Sequence, residues 1–181
     1  MASGREGHLG AAIVTLNEND EVVEFQQVQV GLMDRWSVHV AELIGIFYAV
    51  NMVFKLFHQR SNAVNRVPAI ATILCDSKSA LQAIQNLKNK SGQRIVHAIL
   101  QAATEVQGEN IRLRLQWMPG HCENPGNDTA DRLAKKNPRN RVKPTPFDRY
   151  YRGRTRLSAA KFMPSGDKSG RQAPKGLTYE R

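Results

Sequence analysis

The chain is expected to fold as an α/β domain, a mixed sheet flanked by helices, and three stretches carry that expectation. Residues 9–16 and 21–30 are β-rich runs separated by the turn-forming Asn-Glu-Asn-Asp at 17–20, the pattern of a hairpin. Residues 38–58 repeat apolar side chains (Val40, Leu43, Ile44, Phe47, Val50, Phe54, Phe57) at three- and four-residue steps, which predicts a long helix with a wide apolar face. Residues 69–75, Ala-Ile-Ala-Thr-Ile-Leu-Cys, form a short continuous apolar run, the pattern of a strand buried on both faces of a parallel sheet. Strands first, then helices and strands in alternation, give a mixed sheet covered by helices.

The remaining elements follow in order. Residues 31–37 connect the hairpin to the long helix, and residues 59–68 form a polar loop before the buried strand. Asp76 closes that strand, residues 77–87 form an amphipathic helix capped near Asp76 or Ser77, and residues 94–107 form another after Ser91 and Gly92. Residues 111–117 alternate apolar and polar side chains as a last strand.

Charge divides the chain. Residues 138–181 hold 12 Lys or Arg against 3 Asp or Glu, whereas residues 1–137 hold 14 against 13. The first part therefore reads as a nearly neutral domain, 1–137, and the second as a basic, disordered tail in which Arg is interleaved with Pro, Tyr and Gly. Such a tail is either a solvated linker or a phosphate-binding arm, and any +9 segment attracts nucleic acid in a salt-dependent way. The two cysteines, Cys75 and Cys122, lack metal-site spacing, no signal-peptide core is present, and no apolar run approaches the roughly 20 residues of a membrane span. A soluble intracellular protein without a membrane partner is expected; nucleus or cytoplasm, and oligomeric state, stay open.

The most informative stretch is 116–136, QWMPGHCENPGNDTADRLAKK. It reads as a strand end, a loop punctuated by Pro119, Gly120, Pro125 and Gly126, and a helix opening near Asn127 or Asp128. His121 falls on the loop, and Asp131 on the first turn or so of the helix. Trp117, Pro119, Gly120, His121, Pro125, Gly126, Asn127, Ala130, Asp131 and Leu133 together resemble the C-terminal signature of type 1 ribonuclease H domains, especially those of reverse-transcribing retroelements, and the helix HVAELIGIFYAV at 39–50 looks most similar to fungal non-LTR examples. The resemblance covers about residues 2–137.

Three acidic residues stand where a core or a strand end would not ordinarily place them: Glu42 in the apolar helix, Asp76 after the buried strand, and Asp131. Converging carboxylates repel unless cations compensate, and a pair of Mg²⁺ ions does this while assisting in-line phosphodiester displacement. The resemblance carries over residue by residue. Ala41, Glu42 and Leu43 match the helix Glu, Asp76 and Ser77 match the Asp-Ser pair that closes the fourth strand, and His121 and Asp131 match the loop His and late Asp. It implies a ribonuclease H-like three-layer fold with a mixed five-stranded sheet. It also implies Mg²⁺ or Mn²⁺ held by Glu42, Asp76 and Asp131, with His121 assisting product departure, and an RNA–DNA hybrid substrate.

Plainer readings stand beside these. Asp76 alone could cap the following helix, Glu42 could be a helix-start acid, and Asp131 a solvated residue near a helix N-terminus. Asp128 and Glu123 read as solvent-facing charges, Cys75 as a small buried hydrophobe, and Trp117 as core. One departure from the family pattern concerns the fourth ligand, an Asp at the end of the first, central strand: Met1 occupies its position, ahead of Ala2, Ser3 and Gly4. The expectation is an N-terminally truncated domain with that strand largely missing. Two functions follow, an RNA–DNA hybrid endoribonuclease, or a catalytically dead remnant that only binds nucleic acid.

Overall fold

The computed structural model describes residues 2–5, 7–60, 69–86, 92–120, 124–136 and 178–180, all within one compact unit. In chain order the elements are β1 (Ala2–Arg5), β2 (His8–Leu16), β3 (Val22–Leu32), α1 (Val38–Arg60), β4 (Ala69–Cys75), α2 (Lys78–Gln85), α3 (Gln93–Gly108), β5 (Ile111–Trp117), α4 (Pro125–Lys136) and β6 (Thr178–Glu180). The mixed α/β class is as expected, and the hairpin, the long helix, β4 and β5 fall within a residue or two of where their patterns put them.

The strands pair in two groups of three, β1-β2-β3 and β4-β5-β6. β1 runs antiparallel to β2 from Ala2 opposite Ala11 to Arg5 opposite His8, and β2 runs antiparallel to β3. β4 and β5 are parallel, from Ala69 opposite Ile111 to Cys75 opposite Trp117, and β6 adds in parallel beside β5. Four of the five expected strands are present at full length and the first, expected to be largely missing, is the four-residue β1; with β6 they pair in two groups rather than as one sheet among the described residues. The physical reason is the length of β1: its four residues match only the first part of β2, so no described residue pairs between Ile13–Leu16 of β2 and the edge of β4.

Helices hold the two groups together. α1 contacts β1 and β2 on one side and β4 on the other, while α4 packs on β1, β2 and β3. Leu43 and Val50 of α1 are fully buried, as are Ile99 of α3 and Leu113 of β5, which form the core. α4 lies so close to β2 that a Cβ on Gly10 would stand 2.4 Å from the carbonyl oxygen of Ala134. By length and composition α1 would pass as a membrane span, with a mean hydropathy of 1.7 over an 18-residue window within Val38–Gln59, contrary to the reading that no apolar run is long enough. Most of that stretch is buried in this fold, as expected of a core helix.

Two further expectations change. β4 is not buried on both faces: Ile70, Thr72 and Leu74 are exposed, because the helices cover only the face carrying Ile73 and Cys75. The last residues of the basic segment, Thr178–Glu180, form β6, while residues 138–177 lie outside the described residues.

Candidate active site

The carboxylates meet where β4 ends. Glu42 sits in the second turn of α1, four residues after Val38, so it is not a helix-start acid; it is 6% exposed. Ala2 donates its N–H to Glu42 Oε1 at 2.7 Å, which pins the start of β1 to α1. The ligand atoms of Glu42, Cys75 and Asp76 all lie within 4.8 Å of one another.

Asp76 is held by its main chain. Its carbonyl oxygen accepts from the indole N–H of Trp117 at 3.2 Å and from the N–H of Lys78 at 3.1 Å, and Met118 donates to the Cys75 carbonyl at 3.0 Å. The ends of β4 and β5 are thereby tied together beside the carboxylates. The cap of α2 is Ser77, whose Oγ accepts from the Ala80 N–H at 3.4 Å. Asp76 is thus released from the capping role, and its carboxylate turns to the cluster instead. Gly120 lies against that carboxylate, with space for a Cβ only 3.4 Å from Asp76 Oδ2. The loop that carries His121 leaves from this point; His121, Cys122 and Glu123 lie outside the described residues.

α4 begins earlier than its sequence suggested. Pro125 is its first residue, and Asn124 Oδ1 accepts from the Asn127 N–H at 3.0 Å, an N-cap followed by Pro. Asp131 therefore falls in the second turn rather than the first. It bonds Lys135 one turn later at 2.5 Å. Asp131 stands outside the tight group of three, yet its charge reaches Glu42. Asp128 is exposed in the first turn, as the plain reading had it.

Electrostatics marks the place. Burial raises the Glu42 pKa above the ordinary carboxylate value; the positive amino terminus and the Ala2 N–H lower it, and the charges of Asp76 and Asp131 raise it further. Burial, with Glu42 next, pushes the Cys75 thiol up to about 12. Cys75 is therefore a neutral thiol, and oxygen-seeking ions such as Mg²⁺ do not favour sulfur. The donor set that fits a hard divalent ion is Glu42 and Asp76 with Asp131 nearby, and a cation there would offset the burial and the lesser carboxylate repulsion that raise Glu42.

Sequence reasoning missed two features. Trp117 was expected in the core, but it is 37% exposed, with Lys78 Nζ 5.8 Å from its ring centre. Cys75 was recognised as buried but not as a neighbour of both carboxylates, although its place directly before Asp76 was the available signal.

A search of characterised proteins and of solved structures finds no match to the chain. The sequence model of the RNase H family matches residues 2–139, which span every described element except β6. The chain therefore belongs to the ribonuclease H family, whose members are nucleases that hydrolyse nucleic acid and generally use divalent metal ions.

Proposed function

We propose that the chain is an endonuclease for the RNA strand of RNA–DNA hybrids, of the kind found in retroelement reverse transcriptases, with fungal non-LTR elements most similar. The observation that carries this reading is the convergence of Glu42 and Asp76 at the end of β4, with the charge of Asp131 reaching them. Glu42, Asp76 and Asp131 would hold Mg²⁺, with Mn²⁺ as a substitute. When bound, the ions supply an activated water and neutralise charge on both the attacking and the leaving oxygen, giving a 3′-hydroxyl and a 5′-phosphate.

The chain's own residues do the rest. The buried setting of Glu42 keeps competing water away from its carboxylate. The Trp117 and Met118 bonds fix the strand end from which Asp76 projects, so that carboxylate needs little reorganisation. His121, on the loop that leaves from Gly120, would assist product departure. The hybrid is chosen by duplex shape and 2′-hydroxyl contacts rather than by base sequence. The +9 segment 138–181 adds sequence-independent phosphate binding. The protein would work inside the cell, in a reducing compartment that keeps Cys75 a free thiol.

A second reading is favoured by one observation, Met rather than an acid at position 1, ahead of Ala2, Ser3 and Gly4. In that reading the site has no fourth carboxylate, and the chain binds nucleic acid without cutting it. Cleavage of an end-labelled hybrid separates the two, run beside a form extended upstream by one strand ending in Asp at position 1. Cutting by both forms supports the nuclease. Cutting by the extended form alone, with hybrid binding that disappears when residues 138–181 are removed, supports the binding fragment.

A further inference from the structure

Trp117 and Lys78 stand beside the carboxylates, and neither is placed as stability alone would place it. Trp117 ends β5, and its partly exposed ring is fixed along one edge by the bond from its indole N–H to the Asp76 carbonyl oxygen. Lys78 is the first residue of α2, where the helix dipole favours an acid over a cation. Its Nζ lies 5.8 Å from the centre of the Trp117 ring, and among the described residues it meets no carboxylate within ion-pair distance. An exposed ammonium thus rests on an aromatic face, a weak contact in water. The helix end itself is not what an anion would meet first. The Lys78 N–H already bonds the Asp76 carbonyl, and the Ala80 N–H bonds Ser77 Oγ.

We propose that Lys78 is a phosphate-binding residue for the strand being cut, held on Trp117 in the free chain and released from it when that strand arrives. The identity of the strand rests on the nuclease reading; the contact rests on the geometry of Lys78 and Trp117. Asp76 lies two residues before Lys78 and shares the carboxylate cluster with Glu42. A strand whose scissile phosphate meets that cluster therefore passes within reach of the Lys78 stem, and the next phosphate along is the anion it meets.

A phosphate oxygen offers the ammonium a charge-assisted hydrogen bond, which outcompetes a ring face. Lys78 therefore leaves Trp117 only when a phosphate is there to take it. The ring stays behind, because its edge is tied to Asp76, and its face opens toward the bound strand. A contact of this kind positions the strand by charge and carries no base information. The ammonium is a point charge on a flexible stem, so it follows the backbone rather than fixing one orientation of it.

Hybrid binding by the full chain in EDTA, with thermal melts of the same proteins, tests the contact. Lys78→Ala weakens binding about fivefold at low salt and lowers the slope of log K against log salt by about one. Its Tm is unchanged or higher, since a cation has left a helix start. Lys78→Arg keeps the slope. Lys55→Ala removes the same charge where it pairs with Glu24, and it leaves affinity and slope as they were. In a Trp36→Phe background Trp117 is the sole tryptophan, and hybrid changes its emission less in Lys78→Ala, whose ring is already uncovered. With Mg²⁺, Lys78→Ala raises KM about fivefold and leaves kcat within about twofold, as loss of uniform binding requires.

The proposal is overturned if Lys78→Ala leaves the salt slope unchanged, as loss of a contact to a neutral hydroxyl would, or if Lys55→Ala lowers it equally. It is also overturned if Lys78→Arg fails to keep the slope, if Lys78→Ala lowers Tm, or if the parent chain binds no hybrid. A parent chain that shows these binding changes but never cuts overturns the nuclease reading instead, and the phosphate contact stands.

Discussion

Replacing Gly10 by Ala tests how closely the sheet positions the helix that carries Asp131. A Cβ at Gly10 would stand 2.4 Å from the Ala134 carbonyl oxygen, whereas real contacts of this kind essentially never fall below 3.0 Å. The main chain of α4 and β2 must therefore separate by at least 0.6 Å, since the atom it meets is backbone and cannot rotate away. Overpacking of this kind costs about 1–3 kcal/mol. For a chain of this size that lowers Tm by about 2–4 °C per kcal/mol. Asp131 lies three residues before Ala134 on the same helix, so the shift also moves it relative to Glu42 and Asp76. Misplacement approaching 1 Å can cost on the order of 10²-fold in rate. Gly108→Ala is the control: nothing stands within 4 Å of a Cβ there, and at a helix end Ala is neutral or favoured by up to about 1 kcal/mol over Gly. Thermal unfolding and Mg²⁺-dependent hybrid cleavage are measured for both variants. If Gly10→Ala unfolds and cuts like the parent chain, α4 is not held against β2 as described, and the argument for how Asp131 is placed fails.

Three further predictions concern the carboxylates and their supports. Glu42→Gln, in EDTA, unfolds with the parent chain below pH 4.5 but is the more stable of the two at pH 7–8: the raised Glu42 pKa means the folded chain holds that proton more tightly than the unfolded chain, so its contribution is present at low pH and lost as pH rises through the raised value. A gap that shrinks with rising pH in thermal melts would show that the sign is wrong. Ser77→Ala removes the cap of α2 and costs about 1 kcal/mol in denaturant melts; no change in the midpoint would return the capping role to Asp76. Asp76→Asn, in contrast, leaves metal-free stability unchanged or slightly higher, because it removes a like charge beside Glu42, but it abolishes the rise in Tm on adding Mg²⁺. A Mg²⁺-induced rise of the same size in this variant would place the ion elsewhere.

Much of this was legible locally. The three- and four-residue steps from Val40 to Phe57 gave α1, and the turn at 17–20 gave the hairpin, because both signals are contained within a few neighbouring residues. Helix starts were less secure. Asn124 followed by Pro125 is a cap and a first helical residue, but the acid-rich run from Asn127 pulled the expected start of α4 two residues late, and Asp131 moved from the first turn to the second. What sequence could not show was partnership at long range. The run from Ala69 to Cys75 is apolar throughout, yet which face is covered depends on where α1 and α4 pack. Likewise, a short first strand was expected, but the residues it leaves unpaired among those described, Ile13–Leu16 and the edge of β4, became visible only with the registers in hand. For the site, the family signature picked out Glu42, Asp76 and Asp131. The Trp117 indole bond and the Cys75 thiol beside the carboxylates are products of geometry.

The most direct measurement is cleavage of an end-labelled RNA–DNA hybrid by the full chain with and without Mg²⁺, beside the Asp76→Asn variant, with single-stranded RNA and duplex DNA as competing substrates. The account predicts internal cuts in the RNA strand of the hybrid alone, ending in 3′-hydroxyl and 5′-phosphate, that require the ion and vanish in the variant. Absence of Mg²⁺-dependent cutting by a chain that still binds the hybrid, or cutting that survives Asp76→Asn, would contradict it.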